Sequence, residues 1–221
     1  MKNKLLVIMS SLALAASANA TVTLTLSNPA IGVLNSLAPS TSATATNGLL
    51  WGIIVDADGD GFEQASYEGG WSVASTLTGF AIPGSSGDLF FLAASNNKTV
   101  TAVGGQGGAG SVVAFNGMNI SADASGNPAV NTADKFAVIW FDTGIDAGSS
   151  IVNNTTKFGF YANNNFALPA NGANQSYASN FSAAGPESVR QANLTFVGVP
   201  ETSTSLLGAL GALALLRRRR N

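Results

Sequence analysis

Three alternating aspartates form the densest concentration of charge in this sequence. Asp56, Asp58 and Asp60 occupy every second position of the stretch DADGDG, and Gly61 follows them. Crowded carboxylates repel one another, and a divalent cation with a preference for oxygen ligands relieves that repulsion. The glycine allows the sharp turn that brings the alternate side chains to one point. This spacing therefore makes the three aspartates a candidate calcium site.

The loop resembles the first half of an EF-hand calcium loop, in which alternating acidic residues precede a glycine. An EF-hand loop closes with a bidentate glutamate at about its twelfth position, and that position is Tyr67 here. Glu63, Glu68 or a more distant aspartate would therefore complete the shell of about six to eight oxygens. A plain Asp-Gly turn between two strands is the favoured interpretation, because both residue types favour turns.

A second acidic turn, Asp142-Thr143-Gly144, follows a hydrophobic run. It resembles the catalytic turn of aspartic proteases, in which two aspartates share a proton. The chain has one such triplet, so a shared dyad would require a homodimer, and a strand-ending turn is the favoured interpretation. A further hypothesis places Asp142 and Asp146 at the same end of the sheet as Asp56, where they would complete the calcium site or line one binding surface.

The tryptophans and tyrosines are candidates for a platform that stacks on sugars. Trp51 and Trp140 lie within apolar runs and are predicted to be in the core. Tyr67 and Trp71 follow the acidic loop and are the better candidates for an exposed patch. Exposed rings beside a cation site would favour carbohydrate binding.

The residue types that the sequence lacks exclude several kinds of site. It has no histidine, which excludes Ser-His-Asp and Cys-His nucleophiles and the usual zinc sites, and no cysteine, which excludes disulfides. Any hydrolase here would use two carboxylates about 5–10 Å apart across a cleft. Four basic and eleven acidic residues between positions 21 and 198 give a net charge of −7. That charge argues against nucleic acid as a partner and suits solubility or cation binding.

Apolar patterns along the chain predict an all-β domain, a single β-sandwich or jelly roll. Residues 21–26 alternate and predict a half-buried strand at a sheet edge. Two continuous apolar runs, 48–55 and 136–141, predict strands buried on both faces, and each runs into an acid. Shorter strands are predicted at 71–80, 88–94, 98–103, 111–116, 158–161 and 193–199, and loops at 27–47 and 163–182.

The N-terminus predicts export. A short basic region, Lys2 to Lys4, precedes the apolar stretch 5–16, and Ala18-Asn19-Ala20 is a small-x-small cleavage site. These features predict a secretory signal peptide over residues 1–20, export through the Sec machinery, and a mature chain that begins at Thr21. The alternative is an N-terminal anchor that is retained.

The C-terminus carries a short polar motif, an apolar run and a basic end. The motif is Val199-Pro200-Glu201-Thr202-Ser203, the run extends from Leu206 to Leu216, and the end is Arg217-Arg218-Arg219-Arg220. A helix over this run would be roughly 17 Å long at ~1.5 Å per residue, against ~30 Å of bilayer hydrocarbon. Adding the preceding polar residues and letting the arginines snorkel brings it closer to a transmembrane helix, with the arginines on the cytoplasmic side.

This tail resembles the PEP-CTERM sorting signal of exported proteins of Gram-negative bacteria. The pattern of that family is Val-Pro-Glu-Pro-Ser, then a hydrophobic helix, then a basic end. Val199-Pro200-Glu201 and Ser203 match, and Thr202 stands where the second proline is usual. The resemblance covers residues 199–221 and implies transient membrane retention and processing by an exosortase-type transpeptidase. An uncleaved tail anchor or an amphipathic C-terminal helix is the alternative.

The two terminal signals enclose a predicted mature domain over residues 21–198. The resemblance of the tail implies a structural, non-enzymatic protein of the cell surface, outer membrane or extracellular matrix, associated with exopolysaccharide. One alternative is a calcium-dependent carbohydrate-binding module centred on the aspartate loop, whose glycan binding would vanish with a chelator. Another is an exported carboxylate-based hydrolase, which would show two acids across a cleft.

Overall fold

A computed structural model describes residues 21–27, 37–41, 49–73, 79–92, 112–119, 130–142, 144–148, 150–178 and 190–198. The predicted signal peptide, the predicted sorting tail and the predicted strand at 98–103 lie outside the described residues. In the ranges above, no helix has the length and apolar character of a membrane span. The described part of the chain is all-β, as the sequence predicts.

The described residues form thirteen strands that are arranged in four sheets. The strands are β1 (Thr21–Ser27), β2 (Leu37–Ala38), β3 (Trp51–Asp56), β4 (Trp71–Ser72), β5 (Phe80–Ala81), β6 (Asp88–Leu92), β7 (Val112–Asn119), β8 (Lys135–Phe141), β9 (Ile151–Val152), β10 (Lys157–Ala167), β11 (Asn174–Ala178), β12 (Arg190–Gln191) and β13 (Leu194–Thr195). A curled six-stranded antiparallel sheet has the order β13-β10-β8-β3-β6-β5. A three-stranded sheet has the order β11-β1-β7, and two strand pairs, β12-β2 and β4-β9, complete the set.

The two continuous apolar runs lie side by side in the middle of the six-stranded sheet. All residues of β3 are buried, and so are all residues of β8 after its first. Successive side chains point to opposite faces of a strand, so Ile53 and Val55 join one hydrophobic core while Ile54 joins another. This confirms the prediction of strands buried on both faces.

The first face of this sheet is covered by the three-stranded sheet. Val22, Leu24 and Leu26 of β1 are buried in the core that also contains Trp140 of β8. The prediction of a half-buried strand is therefore confirmed, but its predicted place at a sheet edge is wrong. β1 pairs in parallel with β11 and antiparallel with β7. Alternation of apolar residues reports which face of a strand is buried, and it carries no information about neighbours within the sheet.

The second face is covered by the β4-β9 pair and by the segment that follows the aspartate loop. Tyr67, Trp71 and Phe196 are buried there together with Phe90 and Phe141 from the sheet. The ring centroids of Trp71 and Phe90 are 5.5 Å apart, and those of Trp71 and Phe196 are 5.9 Å apart in an edge-on contact. Such aromatic pairs stabilise a core beyond their buried area.

The predicted loop at 163–182 is wrong in part. β10 continues to Ala167, and residues 174–178 form β11. Phe166, Leu168 and Tyr177 reach the core from this segment, and the rings of Phe166 and Tyr177 meet edge-on at 6.0 Å. The asparagines around them are mostly exposed. Because each of the two strands places few side chains in the core, the segment has a polar composition that predicts a loop.

Candidate metal centre

The aspartate loop begins where β3 ends, at one end of the six-stranded sheet. Asp56 is the last residue of β3 and is paired with Asp88 of β6 on one side and with Lys135 of β8 on the other. Asp56 is buried, whereas Asp58 and Asp60 are exposed. One carboxylate oxygen from each aspartate lies within 4.8 Å of the others. The structure thus brings the three predicted ligands together, and this cluster can hold a metal ion.

Asp56 shapes the loop from its inner side. Its Oδ1 accepts the N–H of Gly59 at 2.8 Å, and its Oδ2 accepts the N–H of Gly61 at 3.1 Å. The φ angles of these glycines are 79° and 102°, a region that residues with a Cβ rarely adopt. The alternation of Asp and Gly therefore makes the turn and at the same time directs the side chains of Asp58 and Asp60 outward.

Ser86 approaches the two exposed carboxylates from a different part of the chain. Its Oγ is 2.6 Å from Oδ2 of Asp58 and 3.1 Å from Oδ2 of Asp60. A hydroxyl has one hydrogen, so it can donate to only one of these oxygens at a time. The adjacent Gly87 accepts the N–H of Ala57 through its carbonyl at 3.2 Å, which holds the two segments side by side.

The sequence did not identify Ser86 as part of the site. It lies in the turn cluster before β6, and its type and spacing resemble any Ser-Gly turn. The antiparallel pairing of β3 with β6 brings it beside the aspartate loop. The pairing of β3 with β6 cannot be predicted from a local sequence pattern.

The two exposed aspartates respond differently to this arrangement. The hydrogen bond from the Ser86 hydroxyl lowers the pKa of Asp58 below its ordinary value. When the same hydroxyl donates to Asp60 instead, it lowers the pKa of Asp60, but desolvation and the charges of Asp58 and Glu63 outweigh that bond, and the net shift in pKa is upward. The loop thus contains the charge repulsion that a bound cation would relieve.

Asp88 lies beside the loop at the start of β6 and was not singled out from the sequence. Its Oδ2 accepts the hydroxyl of Tyr67 at 2.6 Å and the N–H of Glu63 at 3.0 Å. Its Oδ1 is buried and has no hydrogen-bond partner among the described residues. Burial raises the pKa of Asp88 to about 6, the hydrogen bonds from Tyr67 and Glu63 oppose that shift, and the charges of Asp56 and Glu63 add to it.

The remaining ligand candidates lie outside the group of three. The carboxylate of Glu63 accepts the backbone N–H of Ser86 and so borders the cluster. Glu68 lies against the beginning of the turn cluster that contains Ser86, where its N–H donates to the Pro83 carbonyl at 2.7 Å. Tyr67, at the twelfth loop position, is fully buried. A calcium ion on the triad would therefore need further oxygens, from Glu63, from backbone carbonyls or from water.

The hypothesis that Asp142 and Asp146 lie beside Asp56 is wrong. β3 and β8 are antiparallel, and Asp56 pairs with Lys135 at the beginning of β8. At ~3.3 Å per residue, the end of β8 lies ~20 Å from the aspartate loop. There the two carboxylate oxygens of Asp142 accept the N–H and the hydroxyl of Ser40, at 3.2 and 2.5 Å. Antiparallel neighbours end at opposite edges of a sheet, so the strand that brings a second acid to the loop is β6.

The prediction that Tyr67 and Trp71 form an exposed aromatic patch is also wrong. Tyr67 is completely buried and Trp71 is 6% exposed, because the segment after the loop folds under the second face of the sheet. The other tryptophans and tyrosines, all within the described ranges, are buried as well. Trp51 and Trp140 lie in the core, as predicted. None of these rings is therefore exposed for stacking on a sugar, and the carbohydrate-binding alternative keeps the aspartate loop on which it was centred.

Comparison of the chain with protein-family models, curated proteins and solved structures finds no match. No relative therefore assigns a role to the aspartate loop. Its candidacy as a metal centre depends on the geometry of Asp56, Asp58, Asp60 and Ser86.

Proposed function

We propose that this chain is an exported, structural and non-enzymatic protein of the cell surface or extracellular matrix, and that its β domain binds calcium. The export half depends on the two terminal signals, of which the tail resembles the PEP-CTERM sorting signal. The Sec machinery, an exosortase-type transpeptidase and, transiently, the membrane are the partners that these signals imply. Exopolysaccharide is the matrix component with which the protein associates.

One observation carries the calcium half: ligand atoms of Asp56, Asp58 and Asp60 lie within 4.8 Å of one another. All three are hard oxygen ligands, which suit calcium rather than zinc, whose sites use His and Cys. Calcium also tolerates irregular geometry and shared water ligands better than magnesium does. The loop is exposed to solvent and offers several oxygens, so it favours calcium over magnesium.

The position of the loop suggests what the ion would do. The aspartates follow β3, while Ser86 precedes β6, and Gly87 is hydrogen-bonded to the loop. A bound calcium ion would offset most of the charge of the three carboxylates and would fix these two segments to each other at one end of the sheet. The domain, which we infer to be a β-sandwich or jelly roll built from the six-stranded and three-stranded sheets, would be more stable with the ion than without it.

Two experiments test the two halves separately. Isothermal titration of calcium into the domain, residues 21–198, measures binding directly, and magnesium provides the comparison for selectivity. Cell fractionation of the full chain in a Gram-negative host with an exosortase tests surface delivery. Absence of calcium binding would overturn the first half and would leave the second unaffected.

A further inference from the structure

The backbone N–H and the backbone carbonyl of Thr21 are both hydrogen-bonded to the turn that precedes β11. Its nitrogen donates to Oδ1 of Asn171 at 3.1 Å. Its carbonyl oxygen accepts the N–H of Gly172 at 2.9 Å, and two residues on, Thr23 donates its N–H to the carbonyl of Ala173 at 3.1 Å. Gly172 has a φ of 76°, which favours glycine, so the turn has the conformation needed to contact the first residue of β1.

Thr21 is also the residue that the predicted signal-peptide cut would leave at the start of the mature chain. Before the cut, its nitrogen is an amide with one hydrogen. After the cut, it is an α-amino group with an ordinary pKa of about 7.7–8.0, so near neutral pH it is mostly an ammonium with three hydrogens. A charged donor makes a shorter and stronger hydrogen bond to the same acceptor than a neutral one.

The acceptor suits that cation. An ammonium can only donate, and Asn171 presents the oxygen of its amide to the nitrogen of Thr21. The side chain of Asn171 is exposed, so a water-accessible chain end fits there without burial of an unpaired charge.

From these contacts, and on the basis of the proposed export, we propose that Asn171 is a docking site for the α-amino group that signal-peptide cleavage releases. Docking fixes the first residue of β1 to the turn before β11. Because Val22, Leu24 and Leu26 of β1 are buried against the six-stranded sheet, fixing this end secures the three-stranded sheet on its first face. Processing thereby stabilises the exported form of the domain.

The test compares two chain starts in two backgrounds. The chain, with its C-terminal tail, is released from a fusion partner so that it begins at either Thr21 or Ala20. Each of these two proteins is made with the native Asn171 and with the substitution Asn171→Ala, which gives four proteins. The Ala20 start keeps an amide N–H at Thr21 and moves the ammonium by one residue. With Asn171, the Thr21 start should melt roughly 2–4 °C above the Ala20 start, the shift expected for one charge-assisted hydrogen bond in a domain of this size.

The Asn171→Ala chains should melt at one temperature whichever residue comes first. Asn171→Asp should widen the gap between the two starts, because a carboxylate attracts the ammonium more strongly than an amide oxygen does. Asn165→Ala, at another exposed asparagine, should leave the gap unchanged. Equal melting of the two starts with Asn171, or a gap that survives Asn171→Ala, would overturn the docking proposal.

A separate measurement distinguishes failure of docking from failure of the proposed export. The N-terminal residue of the protein recovered from the outside of a Gram-negative host is determined by mass spectrometry. A mature chain that begins at Thr21 supports the processing on which docking depends. A different first residue would overturn that processing site and the physiological role of the contact, even if the melting experiments showed recognition of the ammonium.

Discussion

Asp58 is the carboxylate of the candidate metal centre that the Ser86 hydroxyl approaches most closely. It is exposed, it is hydrogen-bonded to Ser86, and its pKa is lowered by that bond, so it is ionised at neutral pH. The sequence predicted this residue and its two partners from alternation alone, because their geometry is local to one turn. It did not predict Ser86 or Asp88, which reach the loop through strand pairing.

Replacing Asp58 tests the loop directly. Asp58→Ala removes a ligand without removing a core contact, so calcium affinity should fall at least ~10-fold, as measured by isothermal titration. Asp146→Asn, at an exposed aspartate in another turn, removes the same charge and should leave the affinity unchanged. Equal affinity of the Asp58→Ala variant and the wild type would exclude the loop as the binding site.

Gly87 offers a variant that alters the shape of the site and keeps its charge. A Cβ at this position would overlap the carboxyl group of Asp58, which must swing away. Asp58 is exposed and free to move into solvent, so Gly87→Ala should weaken calcium binding severalfold while the melting temperature in chelator stays close to that of the wild type. Ser85→Ala, in the same turn, is the control for binding. If Gly87→Ala bound calcium with the affinity of the wild type, the observed position of the Asp58 carboxylate would not be required for calcium binding.

Asp88 should make the stability of the domain depend on pH. Its folded pKa of about 6 lies above the ordinary value of 3.8, so the folded state holds a proton that the unfolded state has lost between these values. The contribution of Asp88 to stability is therefore present below about pH 4 and is lost as the pH rises through about 6. Asp88→Asn keeps an acceptor for Tyr67 and Glu63 and replaces the unpaired oxygen by a donor.

The melting temperatures of the wild type and Asp88→Asn, measured in chelator between about pH 4 and pH 7, report this linkage. The melting temperature of Asp88→Asn relative to that of the wild type should increase as the pH rises, and the variant should be the more stable protein at neutral pH. A constant difference across that range would show that Asp88 is not protonated in the folded state at mildly acidic pH.

At the scale of elements, continuous apolar runs predicted the two central strands correctly, because burial on both faces demands apolar side chains throughout. The order and direction of the strands were not predictable in the same way. The antiparallel pairing of β3 with both β8 and β6 moves Asp142 to the far end of the sheet and brings Asp88 to the loop. The strands in the Asn-rich segment escaped prediction because few of their side chains enter the core.

The register between β10 and β8 makes one glycine essential. Gly159 pairs with Trp140, and a Cβ at position 159 would overlap the indole ring. Trp140 is fully buried, and its ring nitrogen donates to the carbonyl of Ala38 at 3.1 Å, so the ring has little room to shift. Gly159→Ala should lower the free energy of unfolding by about 1–3 kcal/mol, as measured by urea denaturation.

Ala162→Ser, at an exposed position of the same strand, should change the free energy of unfolding by less than about 0.5 kcal/mol. Equal stability of Gly159→Ala and the wild type would contradict the register of this strand pair.

At the scale of the whole molecule, an acidic β domain lies between a predicted signal peptide and a predicted sorting signal. The full chain should reach the cell surface, whereas a chain that ends at Gly198 should be exported and then lost from the surface, because it lacks the sorting motif and the apolar run. Immunodetection in membrane and culture fractions measures this difference. Delivery of the shortened chain to the surface as efficiently as the full chain would refute the sorting role of the tail.

The most direct test of the proposed calcium binding is a thermal melt of residues 21–198, first in calcium and then in excess chelator. An ion that binds only the folded state raises stability by roughly 2.7 kcal/mol at a hundred times its dissociation constant. For a domain of this size, that corresponds to a rise in melting temperature of roughly 5–10 °C. We expect this rise in the wild type and its loss in Asp58→Ala. Identical melting of the wild type in calcium and in chelator would contradict calcium binding and would reduce the aspartate loop to a turn.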